Sequence, residues 1–155
     1  MSIENKRIAI TGGASGIGLE LVKNLYANNQ LVVIARPSAG LDKLRTDFPD
    51  IEVIEADFAD LHSVEQAADQ IVKSDQSIDI LINNAAVQYT PTFLDDDFRY
   101  DSIKREIDVN FTSVCSLIYL TLPALLKDSP SSIVNINSGL ALVPKTNFHY
   151  RTLSH

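Results

Sequence analysis

Thr11-Gly12-Gly13-Ala14-Ser15-Gly16-Ile17-Gly18 decides how this chain is read. A short apolar run, Arg7-Ile8-Ala9-Ile10, precedes it and reads as a buried strand. Leu19, Leu21, Val22 and Leu25 follow at helical spacing. Strand, glycine turn and helix in that order form the context in which a glycine fingerprint carries chemical meaning. Glycine permits positive φ and lets a ligand approach with no Cβ in the way. A helix beginning near Gly16 aims its unpaired N–H groups and the positive end of its dipole at the turn, which favours an anion there. A pyrophosphate is therefore the expected occupant, ahead of a bare β–α turn.

The rest of the chain bounds the class. Its 155 residues suit one domain over 1–155, and 45% hydrophobic with 21% charged residues is an ordinary globular composition. A net charge of −7 argues against a nucleic-acid or anionic-membrane surface. The lone cysteine, Cys115, excludes an internal disulfide and fits a reducing cytoplasm. It lies within an apolar helical pattern, where buried packing is the expected role. Residues 1–6 lack an apolar core for a signal peptide, and no uninterrupted run of apolar residues is long enough to span a bilayer.

Short apolar runs then alternate with helical patterns. Leu31-Val32-Val33-Ile34-Ala35 is a second strand stopped by Arg36-Pro37-Ser38, and Leu41 to Phe48 reads as a short helix. Ile51 to Ala56 is a third strand ending at Asp57. Val64, Ala67, Ala68, Ile71 and Val72 mark an amphipathic helix. Ile78 to Ile82 forms a fourth strand running into Asn83-Asn84-Ala85-Ala86. A long, largely buried helix is expected over 102–126, and Ser132 to Asn137 is a fifth strand delivering Ser138 and Gly139. This alternation predicts βαβ units, a parallel sheet and helices on both faces. The fold class is α/β, a Rossmann-like doubly wound sheet of order 3-2-1-4-5, lacking the last strands and helices of a complete one.

In such sheets ligands bind beyond the carboxyl ends of the strands. The polar motifs all fall at those ends: Thr11–Gly18, Arg36, Asp57, Asn83-Asn84 and Ser138. Asp57 also suits the N-cap of the following helix, and the two asparagines also suit a plain turn. An arginine at the end of the second strand accommodates the 2′-phosphate of NADP, where a carboxylate would bind the 2′-hydroxyl of NAD. No Asp or Glu lies between Leu31 and Leu41. NADP is thus expected in preference to NAD, and no metal site is expected.

These motifs resemble the short-chain dehydrogenase/reductase family over residues 6 to 148. Thr-Gly-x-x-x-Gly-x-Gly matches its cofactor turn. Asn83-Asn84-Ala85-Ala86 resembles its Asn-Asn-Ala-Gly motif, with alanine for the last glycine. Asp108-Val109-Asn110 and Asn135-Ile136-Asn137-Ser138-Gly139 resemble the segments supplying its asparagine and its catalytic serine. Leu140 to Pro144 is most similar to a subgroup loosely called DltE-like. The resemblance implies a dinucleotide held by Thr11, Gly12, Ser15, Gly16, Ile17, Gly18, Arg36, Asp57, Phe58, Asn84, Ala85 and Ala86, with Asp57 at the adenine ring. It implies hydride transfer to or from a carbonyl or alcohol carbon of a small molecule, with Ser138, Tyr150 and Asn110 as the catalytic set. It also implies a homo-oligomer through the helix at 102–126.

The ending departs from the pattern. The family places a lysine four residues after its tyrosine, where it lowers the phenol pKa by opposite charge. Here Ser154 stands four residues after Tyr150, and the interval from Ser138 to Tyr150 is one residue short of the family's usual spacing. The alternative expectation is therefore a truncated, catalytically dead dinucleotide-binding relative.

Overall fold

The computed structural model describes residues 3–89, 99–128 and 130–139. Five parallel strands form one sheet of order β3-β2-β1-β4-β5. They are β1 (Arg7–Thr11), β2 (Gln30–Ala35), β3 (Glu52–Glu55), β4 (Ile80–Asn83) and β5 (Ser132–Asn135). The helices between them are α1 (Gly16–Leu25), α2 (Ala39–Asp47), α3 (Leu61–Lys73), α4 (Tyr100–Ile107) and α5 (Ser113–Leu125). The expected strand order is the observed one.

The central strands are buried on both faces, which is why they read as unbroken apolar runs. Successive side chains alternate between two cores. Ala9, Val32 and Ile34 point to one face, where Val64, Ala67, Ala68 and Ile71 of α3 and Leu117, Ala124 and Leu125 of α5 cover them. Ile8, Ile10, Leu31, Val33 and Ala35 point to the other, against Val22 of α1 and Leu41 and Leu44 of α2. Register sets the rim level: Ile10 lies beside Val33 and Ile82, Ala35 beside Glu55, and Asn83 beside Asn135. The carboxyl ends of all five strands therefore open at one edge.

The helical run over 100–125 differs from expectation in three ways. It is not one α-helix, because Asp108–Thr112 forms a π-helical turn between α4 and α5. It is not largely buried: one stripe, through Val109, Ser113, Leu117 and Thr121, faces the protein, while Phe111 and Tyr119 are exposed. Cys115 lies midway between those two on the outward stripe and is exposed, correcting the expected buried role. The run Tyr100–Leu125 contains an 18-residue stretch of mean hydropathy 1.3 and is by length and composition apolar enough to cross a membrane. Its inner stripe is spent on the core shared with α3. β5 also departs from the buried pattern, since Ile133 and Val134 are both exposed at this sheet edge.

Candidate active site

The turn after β1 is built by its glycines and by Thr11. Gly12 has φ +69°, a left-handed conformation costly to any residue bearing a Cβ. At Gly18 the constraint is space: a Cβ would lie 2.3 Å from the Gly12 carbonyl oxygen and 2.6 Å from Asn84 Nδ2. Thr11 is buried, and its hydroxyl oxygen accepts the N–H groups of Asn84 and Ala85, both at 2.9 Å. The Asn84 amide donates back to the Thr11 carbonyl at 3.0 Å. The glycine turn and the Asn-Asn-Ala-Ala segment are thus one hydrogen-bonded unit, which a plain turn would not require.

The start of α1 is left open towards this unit. Ser15 occupies the N-cap position, yet its side chain makes no capping bond. The first intrahelical bond is the Leu19 N–H to the Ser15 carbonyl, at 3.1 Å. By contrast Ser38 caps α2 by accepting from Leu41 N–H, and Asp60 caps α3 by accepting from His62 N–H. An uncapped N-terminus with positive dipole beside a glycine turn is suited to an anion.

In front of the turn lies a cleft of about 720 Å³, within the usual size range of small-molecule sites. Of the expected nucleotide residues, Gly12, Ser15, Ile17, Arg36, Asp57, Phe58, Asn84, Ala85 and Ala86 line it. Thr11, Gly16 and Gly18 shape the turn without lining the cleft. Arg36 is exposed and makes no ion pair or hydrogen bond among the described residues. Asp57 does not cap α3, which is the role of Asp60. Its Oδ1 instead accepts the Ala59 N–H at 3.0 Å, and its Oδ2 lies 3.7 Å from an Arg105 guanidinium nitrogen.

Asn110 lies in the π-helical turn and is used on both sides of its amide. Oδ1 accepts the Val87 N–H and Nδ2 donates to the Val87 carbonyl, each at 2.9 Å. One helical turn earlier the fully buried Glu106 accepts the Tyr89 N–H at 3.3 Å. Together they tie the segment after β4 to the helix, and Val87 with it becomes part of the cleft wall. Ser138 follows β5 at the same edge, half-buried and outside the cleft lining. Tyr150 and Ser154 lie outside the described residues. Reading the sequence alone missed Val87, Arg105 and Val109, which also line the cleft. Only Val109 carried a signal, as the neighbour of Asn110.

A glycine turn joined to a helix N-terminus at the carboxyl edge of a parallel sheet of order β3-β2-β1-β4-β5 defines a Rossmann-like α/β protein, a class whose ligands bind at that edge. The chain belongs to the short-chain dehydrogenase family, whose model matches residues 6–150. It is 32% identical over 145 residues to an uncharacterized oxidoreductase, DltE, of Bacillus subtilis, covering 93% of this chain and 58% of that protein. It is 30% identical over 145 residues to carbonyl reductase (NADPH) 2 of Sus scrofa, covering 92% and 57%. A solved short-chain dehydrogenase/reductase from Brucella melitensis superposes with a TM-score of 0.84 at 27% identity, covering 98% and 65%. The chain therefore spans between about half and two-thirds of the length of the relatives it matches.

Proposed function

We propose that the cleft binds NADP and serves an oxidoreductase of this family, acting by hydride transfer to or from a carbonyl or alcohol carbon. The observation that carries the reading is the uncapped start of α1 behind the Thr11–Asn84 unit, with the unpaired Arg36 lining the same cleft. NADP in that cleft would supply a hydride acceptor or donor at its nicotinamide. The uncapped start of α1, which meets the cleft at Ser15 and Ile17, suits its pyrophosphate. Arg36 suits a 2′-phosphate, which its planar fork can meet with two hydrogen bonds. Asp57 would accept a hydrogen bond from the adenine amino group, and Phe58, Ala85 and Ala86 supply apolar wall. Preference for NADP is also in keeping with the porcine relative, whose name carries NADPH.

For the chemistry, Ser138 would hold the substrate oxygen and Tyr150 would move a proton to or from it. Asn110, with its amide committed to Val87, acts by fixing the cleft wall. A second reading, a dinucleotide-binding protein without turnover, is favoured by Ser154 standing where the family has a lysine. A tyrosine without a nearby cation stays protonated at neutral pH and is a poor base. Loss of acid/base assistance costs about 10²–10⁴-fold in rate. The test is NADPH consumption with a panel of aldehydes and ketones, using Tyr150→Phe as control. Turnover abolished by Tyr150→Phe supports the enzyme, whereas bound nucleotide with no turnover supports the second reading.

Self-association is proposed for the outward stripe of Phe111, Cys115 and Tyr119, all exposed. A sedimentation experiment with Phe111→Asp and Tyr119→Asp tests it: the substitutions are expected to leave a monomer.

A further inference from the structure

Three charged side chains line the cleft from three different elements: Arg36 after β2, Asp57 after β3 and Arg105 on α4. Their arrangement poses an electrostatic problem for a nucleotide bearing a 2′-phosphate. A phosphate monoester carries close to two negative charges at pH 7. Adenine is joined directly to the ribose that bears this phosphate. A carboxylate at the adenine edge therefore stands within about one Debye length, ~8–10 Å, of the phosphate, where screening is incomplete. Uncompensated, Asp57 would disfavour the very nucleotide that Arg36 selects.

Arg105 answers this charge. Its guanidinium lies 3.7 Å from Asp57 Oδ2, close enough for ion pairing and too long for a hydrogen bond. Among the described residues no donor hydrogen-bonds to Oδ2, while Oδ1 is steadied by the Ala59 N–H. The pair keeps the hydrogen-bonding capacity of Asp57 and removes its net charge. We propose that Arg105 is a specificity-determining residue, which neutralises Asp57 and so lets the cleft accept the 2′-phosphate of NADP. This inference rests on the cleft being a nucleotide site.

The experiment measures dissociation constants of NADP⁺ and NAD⁺ for the wild type, Arg105→Ala, Asp57→Asn and the double variant, with thermal melting of each as a fold control. Both side chains are partly exposed, at 43%, so the effect is that of a screened pair. Arg105→Ala is expected to weaken NADP⁺ by about two- to fivefold, with a smaller change for NAD⁺. Adding Asp57→Asn to it should restore the NADP⁺ to NAD⁺ ratio towards the wild-type value, and Arg105→Lys should keep it. An equal loss for both nucleotides in Arg105→Ala, or a double variant no better than the single one, would overturn the proposal while leaving the nucleotide site standing. Binding of neither nucleotide by the wild type would overturn both.

Discussion

Thr11 and Asn84 exchange hydrogen bonds across 73 residues of chain: the Thr11 hydroxyl accepts the Asn84 N–H at 2.9 Å, and the Asn84 amide returns one to the Thr11 carbonyl at 3.0 Å. β1 and β4 are adjacent in the sheet, so their carboxyl ends meet there. One buried hydroxyl thereby fixes the loop after β4 against the glycine turn. Thr11→Val keeps the shape and removes the acceptor from two N–H groups. We expect it to destabilise the fold by about 1–3 kcal/mol, the cost of leaving buried donors unpaired. Thr11→Ser should recover most of that, as read by urea unfolding.

Gly18→Ala is the corresponding steric test. The added methyl would sit 2.3 Å from the Gly12 carbonyl oxygen, a backbone atom that cannot turn aside as a side chain would. Overpacking of this kind costs about 1–3 kcal/mol. Displacement of Gly12 should also weaken NADP binding more than Gly139→Ala, where the added Cβ meets nothing within 4 Å. Thermal melting and nucleotide titration of the two variants check both effects.

Asn110→Leu removes a clamp while keeping the number and branching of its side-chain heavy atoms. Both Val87 backbone groups lose their partner, at a cost of about 1–3 kcal/mol. Because Val87 lines the cleft, nucleotide affinity should fall as well. Amide exchange in the segment 85–89 should speed up while exchange in β1 stays slow. Unchanged exchange there would remove the positioning role from Asn110.

Asp79, at the opposite end of the sheet, gives a pH signature. Burial alone would raise its pKa, but the Arg7 N–H and the Lys6 ammonium outweigh that and hold it below the ordinary carboxylate value. Its contribution to stability is present above the unfolded-state pKa and is lost as pH falls through the lowered folded-state value, below about pH 4. Asp79→Asn should therefore destabilise the protein by about 1 kcal/mol at neutral pH, and the difference should shrink in acid. Melting curves from neutral pH downward check this.

Much of the fold was legible because the central strands are buried on both faces and leave continuous apolar runs at 8–10 and 31–35. The residues proposed to hold the nucleotide, most of which line one cleft, sit in short local motifs at the glycine turn and the strand ends. Contacts between distant segments left no such trace. Arg105 meets Asp57 only once the chain has brought α4 beside the segment that follows β3. The outward aim of Cys115 depends on which stripe of its helix meets α3, and an almost uniformly apolar helix does not declare its inner face.

The most direct test of the account is to titrate NADP⁺ and NAD⁺ into the wild type and Arg36→Ala at fixed ionic strength. A charge-assisted hydrogen bond to phosphate is worth about 1.5–3 kcal/mol, about tenfold or more in affinity. The account predicts that the wild type prefers NADP⁺ by such a factor and that Arg36→Ala abolishes the preference with little change for NAD⁺. Equal affinities for the two nucleotides in the wild type, or a preference that survives Arg36→Ala, would contradict it.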